Sequence, residues 1–97
     1  MHKILILLAA SATLLSANAF AVERGELLAS TCMSCHGPGG KSKGAIPTLA
    51  GVDKAYFVKS MQDFKSGARP ASVMKRHASG YTDAEYALLA EYFSKLK

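Results

Sequence analysis

The chain has 97 residues and is 49% apolar, with 12 Lys+Arg against 7 Asp+Glu and a net charge of +5. That length excludes a multidomain enzyme with its own nucleotide-binding sheet, and it leaves a self-sufficient hydrophobic core in doubt. A chain this small ordinarily needs a disulfide set, a metal or a cofactor as support.

Met1 to Lys3 form a short basic start, followed by a twelve-residue apolar stretch, Ile4 to Leu15, broken by Ser11 and Thr13. Small residues then take over, and both Ala17-Asn18-Ala19 and Ala19-Phe20-Ala21 carry the small-x-small cleavage pattern. An apolar run this short falls below the roughly 20 residues of a spanning helix, so the segment reads as an export signal. Cleavage is expected after Ala21, with Ala19 as the alternative. Residues 1–21 are then a removed leader and 22–97 one domain bound for an oxidising, periplasmic compartment.

The first helix is expected over Glu23 to Cys35, with Leu27, Leu28 and Thr31 spaced for one face and Gly25 allowing another helix to come close. It ends in Cys32-Met33-Ser34-Cys35-His36, a C-x-x-C-H run. A disulfide between cysteines so near in sequence would close a tiny loop and stabilise little. Two thiols three residues apart on a helical turn do face one way, so both can reach the vinyl groups on one porphyrin edge. The next residue, His36, can then bind the iron, which is the attachment pattern of haem c. A thiol redox pair would want a βαβ setting, and the sequence has no strand pattern. A zinc site would need more ligands grouped at the motif, and beyond His36 only His77 remains in 22–97.

Gly37 to Gly51 holds five glycines and two prolines, a loop that wraps something. Asp53 to Ser66 reads as the second helix, capped by Asp53, with Tyr56, Phe57, Met61 and Phe64 at helical intervals and Gly67 as its stop. Gly67 to Gly80 is expected to be a second polar segment, holding a short helical turn around Ser72 to His77. The final helix opens on Thr82-Asp83-Ala84-Glu85, a capping box, and carries Tyr86, Leu89, Phe93 and Leu96 on one face. The class is all-α: three main helices, with loops wrapped around one covalently attached haem.

Three methionines are candidates for the sixth iron position. Met33 lies inside the attachment motif, too near His36 to reach the other ring face. Met61 lies on an apolar stripe, where methionine is usually core filling. Met74, 38 residues after His36 and flanked by turn formers, has the reach. His77 is the rival as a second imidazole. A His36/Met74 pair closes both axial positions and raises the reduction potential, which describes a one-electron carrier. The scattered cations Lys41, Lys43, Lys54, Lys59, Lys65, Arg69, Lys75 and Arg76 offer surface charge that could steer an acidic redox partner.

Gly25, Cys32-Met33-Ser34-Cys35-His36-Gly37, Ile46-Pro47-Thr48-Leu49-Ala50-Gly51, Met74 and Tyr92-Phe93 together resemble the class I cytochrome c family over nearly all of 22–97. The resemblance implies that the first and last helices cross at Gly25. It also implies that the Pro47 carbonyl fixes the orientation of His36. Tyr56-Phe57-Val58, Asp63 to Arg69, Val73-Met74-Lys75-Arg76 and Gly80-Tyr81-Thr82-Asp83 are similar to the cytochrome subunit of flavocytochrome c sulfide dehydrogenase. That narrower resemblance implies a heterodimer with an FAD-containing flavoprotein subunit, the haem chain passing electrons to a downstream acceptor and performing no catalysis alone. The alternative is a free-standing soluble shuttle, and a haem enzyme or sensor with an open iron site is the third reading. Two features depart from the pattern: one attachment motif where many relatives carry two, and His77 where an aliphatic residue is expected.

Overall fold

The computed structural model describes residues 24–97, so the expected leader and its cleavage site lie outside the described residues. Every regular element in that range is helical, in agreement with the all-α expectation. The elements are α1 (24–29), α2 (Met33–His36), a 3-10 turn (Pro38–Gly40), α3 (Lys54–Ser66), α4 (Val73–Ser79) and α5 (Asp83–Lys95).

The first expected helix is broken in two. Ser30 Oγ donates to the Leu27 carbonyl at 2.7 Å and Thr31 Oγ1 to that of Leu28 at 3.4 Å. The backbone there tightens to three-residue spacing, with Ser30 N to Leu27 O and Cys32 N to Ala29 O. Consecutive hydroxyl side chains competing for helical carbonyls account for the interruption. The face of α1 also differs from expectation: Leu27 is 73% exposed, while Gly25 and Ala29 are buried. The reason is steric. A Cβ on Gly25 would lie 3.0 Å from the Leu88 carbonyl oxygen and 3.4 Å from Tyr92 Cβ, so the contact with α5 admits only small residues. This is the crossing of first and last helices that the resemblance implied.

The second expected helix is α3. Asp53 caps it by accepting from Tyr56 N at 2.9 Å, and Gly67 closes it in the left-handed conformation at φ 88°. The last is α5, whose capping box is complete: Glu85 N donates to Thr82 Oγ1 and Thr82 N to Glu85 Oε1.

In the segment Gly67 to Gly80 the short helical turn expected around Ser72 to His77 is the seven-residue helix α4. Met74 therefore stands on a helix rather than in a loop. No Gly or Pro interrupts Val73–Ser79, and Met74 and Ala78, four apart, turn one face onto the core. Tyr86 ties α4 down by donating its hydroxyl proton to the Ala78 carbonyl, both residues being fully buried.

The core is Ala29, Phe57, Met61, Ala78, Tyr86, Leu89, Ala90 and Phe93. Phe57 and Phe93 rings meet at 5.9 Å between α3 and α5. Met61 is 4% exposed, in keeping with its reading as core filling. Eight residues are a thin core for a chain of this size, because a large cleft occupies the space beside them. At about 25 cal/mol per Å², burial this limited falls short of the ordering entropy unless a group fills the cleft. Chain made without haem insertion is therefore expected to give a largely unordered circular dichroism spectrum. A cooperative melt from a helical baseline would contradict this.

Glu91 on α5 binds two cations, Lys95 Nζ at 2.6 Å and Lys54 Nζ at 2.9 Å, the latter joining α5 to the start of α3. These bonds hold its carboxyl at about 2, well below its ordinary 4.5. A depressed folded-state value means the pair stabilises above pH 4.5 and is lost as pH falls towards 2. Glu91→Gln is expected to lower stability slightly at neutral pH, the group being solvent-screened, and to leave it unchanged near pH 2, so that the acid limb flattens. An unchanged acid denaturation curve would count against the tie.

Candidate functional site

The cleft has a volume of about 520 Å³ and lies between α3 and α4 on one side and α2 with the segment 45–49 on the other. Its apolar walls come mainly from Ile46, Leu49, Val52, Phe57, Phe64 and Val73. Each residue expected at the site lines it: Cys32, Cys35, His36 and Met74.

The C-x-x-C-H run forms one helical turn, with His36 N bonded to Cys32 O at 2.9 Å and Cys35 N to the same oxygen at 3.3 Å. Both thiols are unpaired. Burial pushes the Cys32 thiol above its ordinary value, a hydrogen bond from the Thr31 side chain opposing it. A thiol disulfide exchanger needs the reverse, a lowered value that yields thiolate. Cys32 is therefore held as a thiol, beside Cys35 at the edge of an apolar cleft.

His36 Nδ1 lies 2.6 Å from the Pro47 carbonyl oxygen. A carbonyl only accepts, so Nδ1 carries the proton and Nε2 keeps the lone pair with which imidazole binds iron. The Pro47 expectation thus has its geometry. The carbonyl is held from behind, because Gly40 O accepts from Leu49 N at 2.7 Å and Ala50 N at 3.1 Å. Gly40 in turn packs on Phe93, whose ring atoms would meet an added Cβ at 3.0 Å.

Met74 and His77 are three apart on α4, and both line the cleft. Met74 is half-buried and packed on the core, whereas His77 is exposed. Met33 packs against the core and is absent from the lining.

Two lining features escaped the sequence reading. Tyr81 OH and Thr31 Oγ1 share a hydrogen bond of 2.9 Å, joining the residue before the first thiol to the turn after α4. Arg69, one cation among many in the sequence, reaches the cleft. Its guanidinium lies 4.6 Å from the Phe64 ring centre, with long contacts to Tyr56 OH at 3.5 Å and Ser60 Oγ at 3.4 Å. The only hint in the sequence is the Gly67-Ala68-Arg69-Pro70 run that follows α3.

Two thiols, one imidazole with a free Nε2, one thioether and an apolar slot fit a covalently anchored haem. No helix among the described residues is long and apolar enough to cross a membrane.

A family model described as "Cytochrome c" matches residues 22–97. The chain is 47% identical over 73 residues to the cytochrome subunit of sulfide dehydrogenase from Chlorobaculum tepidum, covering 75% of this chain and 66% of that one. It is 34% identical over 100 residues to cytochrome c4 of Pseudomonas aeruginosa, covering all of this chain and 50% of the relative. A solved cytochrome c4 structure from Acidithiobacillus ferrooxidans superposes with a TM-score of 0.65 at 35% identity, over 67% of this chain and 38% of that one. The chain thus spans less than two thirds of the length of these relatives. It belongs to the cytochrome c family, with that family's all-helical fold, and its cofactor is haem c.

Proposed function

We propose that the chain is a single-haem electron carrier, residues 22–97 forming the working domain after an export signal, 1–21, is removed in the periplasm. Cys32 and Cys35 would anchor the haem through two thioethers, and His36 and Met74 would bind its iron. The haem, when bound, supplies a one-electron couple. The protein's part is to hold that couple rigid and dry. Pro47 fixes the imidazole through the 2.6 Å bond to Nδ1. Phe57, Phe64, Leu49 and Val52 exclude water from the cleft. With His36 and Met74 both holding the iron, no site would be left for oxygen or peroxide, and the chain would move electrons without making or breaking bonds. The observation that carries this reading is the His36–Pro47 bond beside a Met74-lined apolar cleft.

Electrons arrive from an FAD-containing flavoprotein subunit that oxidises sulfide and leave to a downstream acceptor. The support is the 47% identity to a sulfide dehydrogenase cytochrome subunit and the absence of any dinucleotide fingerprint in the sequence. A second reading, a free shuttle that docks briefly, is favoured by two relatives of matching size. The chain covers 89% of cytochrome c-554(548) of Halomonas halodenitrificans and 86% of cytochrome c-553 of Helicobacter pylori. Purification of the native holoprotein decides between them. Co-elution with a yellow flavoprotein supports the subunit, and elution of the cytochrome alone at its own mass supports the shuttle.

A further inference from the structure

Tyr81 follows α4, Thr31 precedes the first thiol of the attachment run, and both line the cleft. Their hydroxyls meet at 2.9 Å, joining positions 50 residues apart. Thr31 has one proton, directed at the Leu28 carbonyl at 3.4 Å, so the tyrosine hydroxyl donates and Thr31 Oγ1 accepts. The other long-range bond of the run, from His36 to the Pro47 carbonyl, stays within one wall of the cleft. Among the described residues the Thr31–Tyr81 bond is the one hydrogen bond that ties residues 31–37 to the opposite wall, the wall that carries Met74.

Tyr81 is itself held firmly. It packs against the core, its backbone N donates to the Ala78 carbonyl at 3.3 Å, and Lys65 Nζ donates to its carbonyl at 3.4 Å. The Ala78 carbonyl also accepts from the Tyr86 hydroxyl, so hydrogen bonds fasten the C-terminal end of α4 from two sides. The N-terminal end has no such tie, because Ser72 makes no side-chain capping bond. Met74 stands in the first turn, about 6 Å along the axis from Ala78, and a rigid helix carries a shift at its fastened end to that thioether. We infer that Thr31 and Tyr81 form a clasp across the cleft that holds α4 where Met74 can stay on the iron, making them positioning residues for the sixth ligand. This rests on the proposed ligation by His36 and Met74. With the clasp open, α4 swings by its uncapped end and Met74 leaves more often. One hydrogen bond of this kind shifts an equilibrium about fivefold, enough to change how often the position opens and too little to unfold the chain.

The test uses ferric holoprotein of the full chain, with cyanide as the probe that enters when the methionine leaves. Tyr81→Phe and Thr31→Val should each keep the covalent haem and, at neutral pH, the sulfur-to-iron absorption band. Each is expected to bind cyanide about fivefold faster than the wild type. The double variant should be no faster than either single one, because both changes remove the same bond. Thr31→Ser keeps the hydroxyl and should return the wild-type rate. Asp53→Ala removes the α3 cap and lowers the melting temperature, and is expected to leave the cyanide rate alone. Wild-type cyanide kinetics in both single variants would overturn the assignment. Single effects that multiply in the double variant would do the same, since the two hydroxyls would then act separately. Asp53→Ala accelerating binding as much as Tyr81→Phe would also overturn it, by reducing the effect to overall stability. A wild-type ferric protein without the sulfur-to-iron band would sink the axial-ligand reading itself, and the clasp with it.

Discussion

Holoprotein carrying Met74→Ala is expected to keep its covalent haem and lose the sulfur-to-iron absorption band, with ferrous protein now binding carbon monoxide. Cys32, Cys35 and His36 lie on α2 and the turn before it, so attachment does not depend on α4. The reduction potential should fall by a sizeable part of the roughly 0.8 V over which axial ligation ranges. Two controls separate ligation from packing. Met61→Ala removes a methionine that is 4% exposed in the core, and should cost about 2–5 kcal/mol of stability while leaving the band in place. His77→Ala, on the exposed side of α4, should change neither band nor stability by much. A persistent sulfur band in Met74→Ala would remove Met74 from the iron. Loss of the band in His77→Ala would make His77 a support of that ligation.

The second large effect belongs to Gly37. It sits at φ 95°, ψ 158°, a region that side chains other than glycine essentially do not enter. A Cβ there would fall 2.0 Å from the Lys41 carbonyl oxygen, a backbone atom that cannot rotate aside. Gly37→Ala must therefore displace the Pro38–Gly40 turn. That turn holds the strip from Leu49 to Ala50, and through it the Pro47 carbonyl that fixes His36. The expected loss exceeds about 2 kcal/mol. The yield of haem-loaded protein should drop, and the remaining fraction should show a shifted potential because the imidazole is no longer held. The alanine variant maturing and melting like the wild type would show that the turn does not govern His36.

What the sequence revealed well was local. The C-x-x-C-H run, the Asp53 cap, the Thr82–Glu85 box and the Gly67 stop each depend on residues within one or two turns, and each has its predicted hydrogen bonds. The errors came from tertiary contacts. Leu27 looked like core by spacing, but the buried face of α1 is chosen by how near α5 lies, and only Gly25 and Ala29 are small enough. The short turn expected over Ser72 to His77 runs two residues further, to Ser79. The burial of Ala78 under the Tyr86 hydroxyl shows why Val73–Ser79 is helical. Arg69 resembled every other surface cation until the end of α3 aimed it into the cleft.

The helix crossing at Gly25 has a consequence for biogenesis. Among the described residues half of the buried core, Tyr86, Leu89, Ala90 and Phe93, belongs to α5, which follows the other described elements along the chain. Until α5 exists, α1 has no Leu88 and Tyr92 to dock on, and Gly40 has no Phe93 to rest against. A chain whose α5 has not yet docked therefore keeps both sulfurs open to haem attachment. The time available for prosthetic-group ligation is set by the large sequence separation between the parts that must close over it.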